Sequence, residues 1–497
     1  MNKIIIIIAI ALFGVGTILS QTPTYPDFSK SAIEKFKRQQ KTSIEQFKNE
    51  KKEELAAFRD SLNREFATYL KETWESFNLE RQERGFKPMP QPPVYKPIPD
   101  KIPVHVPVIP VPEPEPNPFI KPLPLPKPKP EPVQEMFDAD FFGGTIRLQK
   151  LKFSMNRLSG VSENAVANFW LSLSEMPIDQ ILDDVTRLQK DLRLNDWGVF
   201  QLVNKMFYAY FPNGNENEQT VFSVFMLNQL GYKARIGRAD NALLPLVAIQ
   251  NNVVNTSYFV INTDNQKVMY YTINQSRKPL STLQTCGQEY GNAGKIMNLT
   301  IAQYPILSNK TSTQSLTANG QKYSFNYNPS LPAFYETYPC VDFSIYADAP
   351  LDETFLKSLR DDFQPVLQNK TREEQVNFLL HFVHSVYYPK YKTDQDNYGY
   401  EKWNFAEETL IADYTDCDDN AIFFAQLVKN LLGMKVVIIY YPGIHLSTAV
   451  KFDNPNAQGD YVLVDNAKYL VCDPTYFGSN IGMAMPDLRN TGVQIFK

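Results

Sequence analysis

From Pro88 to Pro132 nearly every second or third residue is proline, and this stretch holds more than half of the chain's 36 prolines. Proline fixes φ and lacks an N–H, so helix and sheet are excluded and polyproline II is expected. At ~3.1 Å per residue the segment can hold its ends on the order of 100 Å apart. The chain is thereby divided into a part before residue 87, a linker over 87–134 and a globular part beyond it. Docking of a Pro-binding domain is the alternative; a spacer suits an exported chain better.

Export is the expectation from residues 1–20. A short basic start, Met1-Asn2-Lys3, precedes an apolar run from Ile4 to Leu19 and then Ser20-Gln21. That order describes a cleavable signal peptide, with an uncleaved anchor as the alternative. It places the protein in the periplasm, at the cell surface or outside the cell. No Cys follows the run, so a lipoprotein anchor is not expected.

Residues 28–86 are rich in Lys, Glu, Gln and Arg and lack proline and interior glycine, so they read as one long amphipathic helix. Ile33, Ile44, Leu55, Phe66 and Phe77 recur every eleven residues, with Phe36, Phe47, Phe58 and Tyr69 as a second row. Eleven residues in three turns is ~3.67 per turn, almost a straight helix. So narrow a stripe needs a cover. A coiled coil between copies, and hence a homo-oligomer, is the first expectation; packing on the globular part or on a membrane surface are the others.

At 497 residues the chain exceeds one ordinary domain, and its net charge of -4 comes without a basic cluster, so no nucleic-acid partner is expected. Four cysteines are too few for a disulfide framework. Export would permit a Cys286–Cys340 bond if Cys417 stays a thiol, and Cys472 reads as a buried small hydrophobe.

Residues 135–497 predict an α+β fold in which one pattern occurs twice, over 135–345 and 346–497. Each copy has a helix (around Trp197–Tyr210; Glu374–Val386), a second, apolar helix (Val221–Leu230; Ala421–Leu432), a glycine (Gly231; Gly433) and a strand. Counting from the two glycines without gaps places Asn215 opposite Cys417 and Leu243 opposite His445. The first copy would then lack the chemistry and serve as scaffold or substrate-binding half.

Three segments near the C-terminus carry chemistry. Asp416-Cys417-Asp418-Asp419 opens a helix apolar on every face, where the backbone dipole favours a thiolate. The aspartates oppose this, unless they cap backbone N–H groups or engage Ca²⁺ through Asp416, Asp418 and Asp419. His445 starts the strand Leu446–Phe452 after the turn Pro442-Gly443. Asp473 ends the strand Tyr469–Cys472 before Pro474 and can orient an imidazole; Asp465, in a turn, competes for that role. His381 and His384, three apart on a helix, have the spacing of a metal pair but no nearby third ligand, so packed or solvated residues are expected there.

The order of Cys before an apolar helix, His on the next strand and Asp-Pro-Thr on the following one resembles the transglutaminase-like superfamily, whose core is papain-like. Tyr398-Gly399-Tyr400-Glu401-Lys402-Trp403 and Phe405-Ala406-Glu407-Glu408-Thr409-Leu410 look like the lead-in to its Asp-Cys-Glu/Asp-Asp signature. The likeness covers about residues 370–485, with a fainter echo over 185–275. It implies Cys417 as nucleophile, His445 as general base and acid, and Asp473 as the orienting group. Trp403 would be oxyanion support or simply core. The function implied is a secreted thiol enzyme acting on amide or peptide bonds through a thioester, without a cofactor. Its substrate would be a protein or peptide, with hydrolysis favoured over acyl transfer. An inactive binding or envelope-tethering protein on the same fold is the alternative.

Overall fold

The computed structural model describes residues 30–72, 74–85, 108–109, 135–263, 266–273, 279–454 and 456–497. The expected signal peptide and nearly all of the linker lie outside them. Among the described residues no helix is long and apolar enough to cross a membrane. The chain divides into two compact units, residues 1–61 and 62–497.

Helix α1 (Lys30–Glu72) begins in the first unit, where Ile44, Phe47, Leu55 and Phe58 are each more than half exposed. In the second unit its last turns bury Phe66, Ala67 and Leu70, and the Phe66 ring lies 4.9 Å from Trp170. The helix stops at Glu72, well short of the expected residue 86. Strands β1 (Trp74–Asn78) and β2 (Glu80–Arg81) follow it. Trp74 and Phe77 suit a half-buried strand. Phe77 therefore leaves the eleven-residue row and packs 4.6 Å from Phe259.

A second correction falls inside the linker. Val108 and Ile109, between Pro107 and Pro110, form strand β3 (Val108–Ile109), parallel to Val493–Gln494 at the edge of a sheet. Proline is tolerated at such an edge because one side of the strand needs no partner.

The globular unit repeats one series of elements. The first series opens with the hairpin β4 (Met136–Phe141) and β5 (Gly144–Gln149). Helices α2 (Glu163–Ser174), α3 (Ile178–Asp191), α4 (Asp196–Tyr210) and α5 (Glu216–Gln229) follow. The sheet strands are β6 (Ala234–Ala239), β7 (Ala242–Ala248), β8 (Ser257–Thr263), β9 (Gln266–Thr272) and β10 (Thr282–Cys286).

The second series opens with the hairpin β11 (Ser312–Ala318) and β12 (Gln321–Tyr327). Helices α6 (Ser330–Tyr335), α7 (Phe343–Asp348), α8 (Glu353–Leu367) and α9 (Arg372–Tyr387) come next. Two short helices, α10 (Asp394–Asn397) and α11 (Ala406–Ile411), precede α12 (Cys417–Leu427). The strands are β13 (Val436–Tyr441), β14 (His445–Lys451), β15 (Tyr461–Val464), β16 (Ala467–Cys472) and β17 (Val493–Phe496).

The strand orders are the same, β10-β6-β7-β9-β8 and β17-β13-β14-β16-β15, with β1 and β3 added outside β10 and β17. Helices α3 and α4 pack on β5 and β4 as α8 and α9 pack on β12 and β11. The second series thus starts by Ser312, not at residue 346. Alternation explains why: Leu316, Ala318, Tyr323 and Phe325 face inward, and Tyr323 and Phe325 meet Phe363 and Phe382 of the second series. The two sets of strands carry α5 and α12 as the helices that pack on β7 and β14.

The helix ends correct the gapless alignment. Gly231 (φ 85°) and Gly433 (φ 64°) both stop a helix in the left-handed region that suits glycine. Val428–Leu432, however, continue α12 as a π turn, which holds an extra residue. The N-caps are Asn215 and Asp416, so the counterpart of Cys417 is Glu216 rather than Asn215. The β6–β7 connection is also one residue shorter than β13–β14: Ala239 faces Ala242, while Tyr441 faces His445. Ala242, not Leu243, therefore occupies the place of His445.

Candidate active site

Asp416 N-caps α12, its carboxylate accepting from the Asp418 N–H at 3.4 Å and from the Asp394 N–H at 3.3 Å. Capping thus occupies one of the three aspartates. A second, Asp419, accepts from Asn404 N at 3.0 Å and Asn404 Nδ2 at 2.9 Å. Glu218, third in α5, likewise grips Arg157 at 2.6 Å and Leu158 N at 3.0 Å. A buried acid at this position fastens the preceding segment to the helix in both series.

Cys417 is the first residue of α12 and only 2 % exposed. The Leu446 N–H, next to His445, points at its sulfur. In the first series the equivalent amide, Leu243 N, donates to Asn217 at 2.8 Å. Asp418 stands in Asn217's place but leaves that amide to the thiol. Burial, then the Asp416 carboxylate, push the Cys417 thiol well above its usual range, with the Leu446 amide pulling the other way. The dipole advantage expected at the helix start is outweighed, and the resting sulfur is protonated.

His445 and Asp473 are brought together. His445 Nε2 donates to Asp473 Oδ2 at 2.9 Å, with both side chains buried. In a neutral ring that bond puts the proton on Nε2 and leaves the lone pair on Nδ1, which has no hydrogen-bonding partner among the described residues. Burial raises the Asp473 pKa, but the His445 ring and the Thr475 N–H and hydroxyl outweigh it and hold the carboxyl below its usual range. Thr475 N and Tyr476 N donate to its other oxygen at 3.0 and 3.2 Å.

The imidazole and the sulfur make no hydrogen bond to each other. Leu446 and Val450 of β14 face the core containing α12, whereas Ala449 and Tyr441 belong to the core on the other face. The His445 ring stacks 6.0 Å from Tyr441. The thiol thus meets the strand through Leu446, one residue beyond the imidazole.

Asp465 takes no part: it lies in the β15–β16 turn at φ 50° and pairs with Lys497 at 2.8 Å. His381 and His384 form no metal pair; their Nε2 atoms meet the carbonyls of Ser479 (3.1 Å) and Asp473 (2.9 Å). Trp403 is core, its ring 4.1 Å from Phe343. The four cysteines are buried thiols, so the Cys286–Cys340 bond that export would permit is not formed, and Cys340 Sγ lies 3.5 Å from the Glu401 carbonyl. Cys472 is fully buried.

Sequence reasoning named Asp418 and Asp419, with Asp416, for Ca²⁺, but missed Asp394 and Glu401 beside them, the burial of the group, and the bond from His384 to Asp473. Asp394, Asp418 and Asp419 are buried, with pKa values raised first by desolvation and then by their acidic neighbours. Glu401 is pushed up to about 8 by burial and by Asp416. The only hint in the sequence was the density of acids over 394–419.

No family model, curated protein or solved structure matches the chain.

Proposed function

We propose that this chain is an exported, transglutaminase-like thiol enzyme acting on amide or peptide bonds of a protein substrate, with hydrolysis as the main outcome. The observation that carries the reading is the His445–Asp473 bond at 2.9 Å, which leaves Nδ1 without a partner at the end of the strand whose next amide, Leu446 N, meets the Cys417 sulfur. The Cys417 proton would pass to Nδ1 as sulfur attacks the carbonyl carbon. The C–N bond then breaks, the proton leaves with the amine, and a thioester remains. Water cleaves the thioester, returning the acid product and the thiol. Because the resting sulfur is protonated, His445 acts as a general base on a neutral thiol. Hydrogen bonds of this kind often tighten only when substrate binds, which accommodates their absence here.

The burial of Cys417, His445 and Asp473 favours one other reading, an inactive binding or tethering protein. Alkylation by iodoacetamide, followed by peptide mass analysis, separates the two. An enzyme should label Cys417 at least about tenfold faster than Cys472 and lose that advantage in His445→Ala. Equal rates would leave the inactive reading.

A further inference from the structure

We propose that Asp394, Glu401 and Asp418 form a binding site for a hard divalent cation, calcium, beside the start of α12. One carboxylate oxygen from each lies within 4.8 Å of the others. Calcium takes carboxylate oxygens in flexible, irregular cages, whereas magnesium demands near-ideal octahedral geometry and keeps several waters, so a buried site made of protein carboxylates suits calcium better.

Unsatisfied ligands give the second reason. Asp418 is fully buried, yet neither of its carboxylate oxygens accepts from an N–H or hydroxyl donor and the Asp416 carboxylate is set against it, while Glu401 Oε1 also lacks a partner. Its counterpart Asn217 spends its oxygen on Leu243 N. Among the described residues no lysine or arginine forms an ion pair with Asp394, Glu401 or Asp418; the neighbouring Lys402 ammonium is bonded to Glu408 at 2.9 Å and to Asn404. Buried carboxylates require a counter-charge, a proton or a metal. Three converging oxygens and no cation among the side chains point to a metal.

Local structure aims these groups without consuming them. Asp394 is held by Lys402 N at 2.6 Å through one oxygen. Asp416, bonded to the Asp394 and Asp418 amides, ties α10 to α12 and so fixes the spacing of two of the three ligands. Glu401 also lines a cavity of about 90 Å³ with Arg81, Asn255, Thr337 and Tyr400. Asp419, included with Asp416 and Asp418 in the expectation from sequence, is committed to Asn404 and is not a ligand.

This inference does not rest on turnover, because calcium binding is read directly. The full chain, stripped with chelator, is titrated with calcium chloride in a calorimeter. One saturable site per chain is expected, together with a higher unfolding temperature. Asp418→Asn and Glu401→Gln should each weaken binding at least tenfold, while Cys417→Ala leaves it unchanged. Glu401 is only partly buried, so its variant keeps the test valid if Asp418→Asn does not fold. Three results would overturn the proposal: no saturable calcium binding by the wild type; equal affinity in a folded Glu401→Gln variant; or preference for zinc that disappears in Cys417→Ala, which would mark the Asp416–Cys417–Asp418 group as the site instead.

Discussion

His384 Nε2 donates to the backbone carbonyl of Asp473 at 2.9 Å, so the residue whose carboxylate holds His445 is itself held by a second ring. Burial brings the His384 pKa down to about 4 from an ordinary 6.5. Between those values the unfolded chain binds a proton that the folded chain refuses. This contribution to stability is therefore present above pH ~6.5 and lost as pH falls towards 4. The wild type should lose more stability between pH 7 and 5 than His384→Gln, measured by urea unfolding. His384→Phe, lacking the donor, should also lower turnover by freeing Asp473.

Asp473→Asn should reduce turnover on an amide substrate by about 10²–10⁴-fold, because an amide in that place can stabilise the wrong imidazole tautomer. Its fold should survive, since Thr475 N and Tyr476 N can still donate to the side-chain oxygen. Steady-state rates with circular dichroism as a control would check this. Unchanged turnover would remove Asp473 from the mechanism.

Glu407, fully buried in α11, has its pKa pushed up to about 8 by desolvation, with Asp352 and Glu408 adding to it. Here the folded state holds a proton that the unfolded state releases. The stabilisation is complete below the ordinary carboxyl value of 4.5 and is lost as pH rises through 8. Glu407→Gln should match the wild type near pH 4.5 and exceed it above pH 8.5 by a few kcal/mol, on the order of 1.4 kcal/mol per pKa unit. Denaturant midpoints across that range would show it.

Ile44, Phe47, Leu55 and Phe58 leave an apolar row exposed along α1. A second copy of the helix is the cover proposed. Removal of residues 30–61 should convert an oligomer to a monomer in light scattering while Cys417 alkylation is unchanged. A full-length monomer at micromolar concentration would exclude the coiled coil.

Much of the second series was legible because its helices and strands carry strong periodic signals. The strand expected to close at Cys472 does so, and α12 begins at the expected cysteine. Boundaries failed where tertiary pairing decided them. Residues 74–81 read as helix by composition, yet the sheet captures them as β1 and β2. The Ser312–Tyr327 hairpin was misassigned because alternation predicts a strand pair but not the helices on which it packs. At the site, residue order supplied Cys417, His445 and Asp473. It could not supply their burial, the separation of sulfur from imidazole, or the carbonyl grip of His384, all of which depend on contacts far apart in the chain.

The π turn at Val428–Leu432 has one last consequence. Each residue added to a helix swings everything upstream by about 100° around the axis, measured from a fixed C-terminal stop. Without that insertion, the direction now taken by the sulfur would fall to a different side chain. The thiol's aim is thus set about three to four turns away from the thiol itself, and deleting a single residue at 428–432 should re-point it while sparing every atom of Cys417, His445 and Asp473.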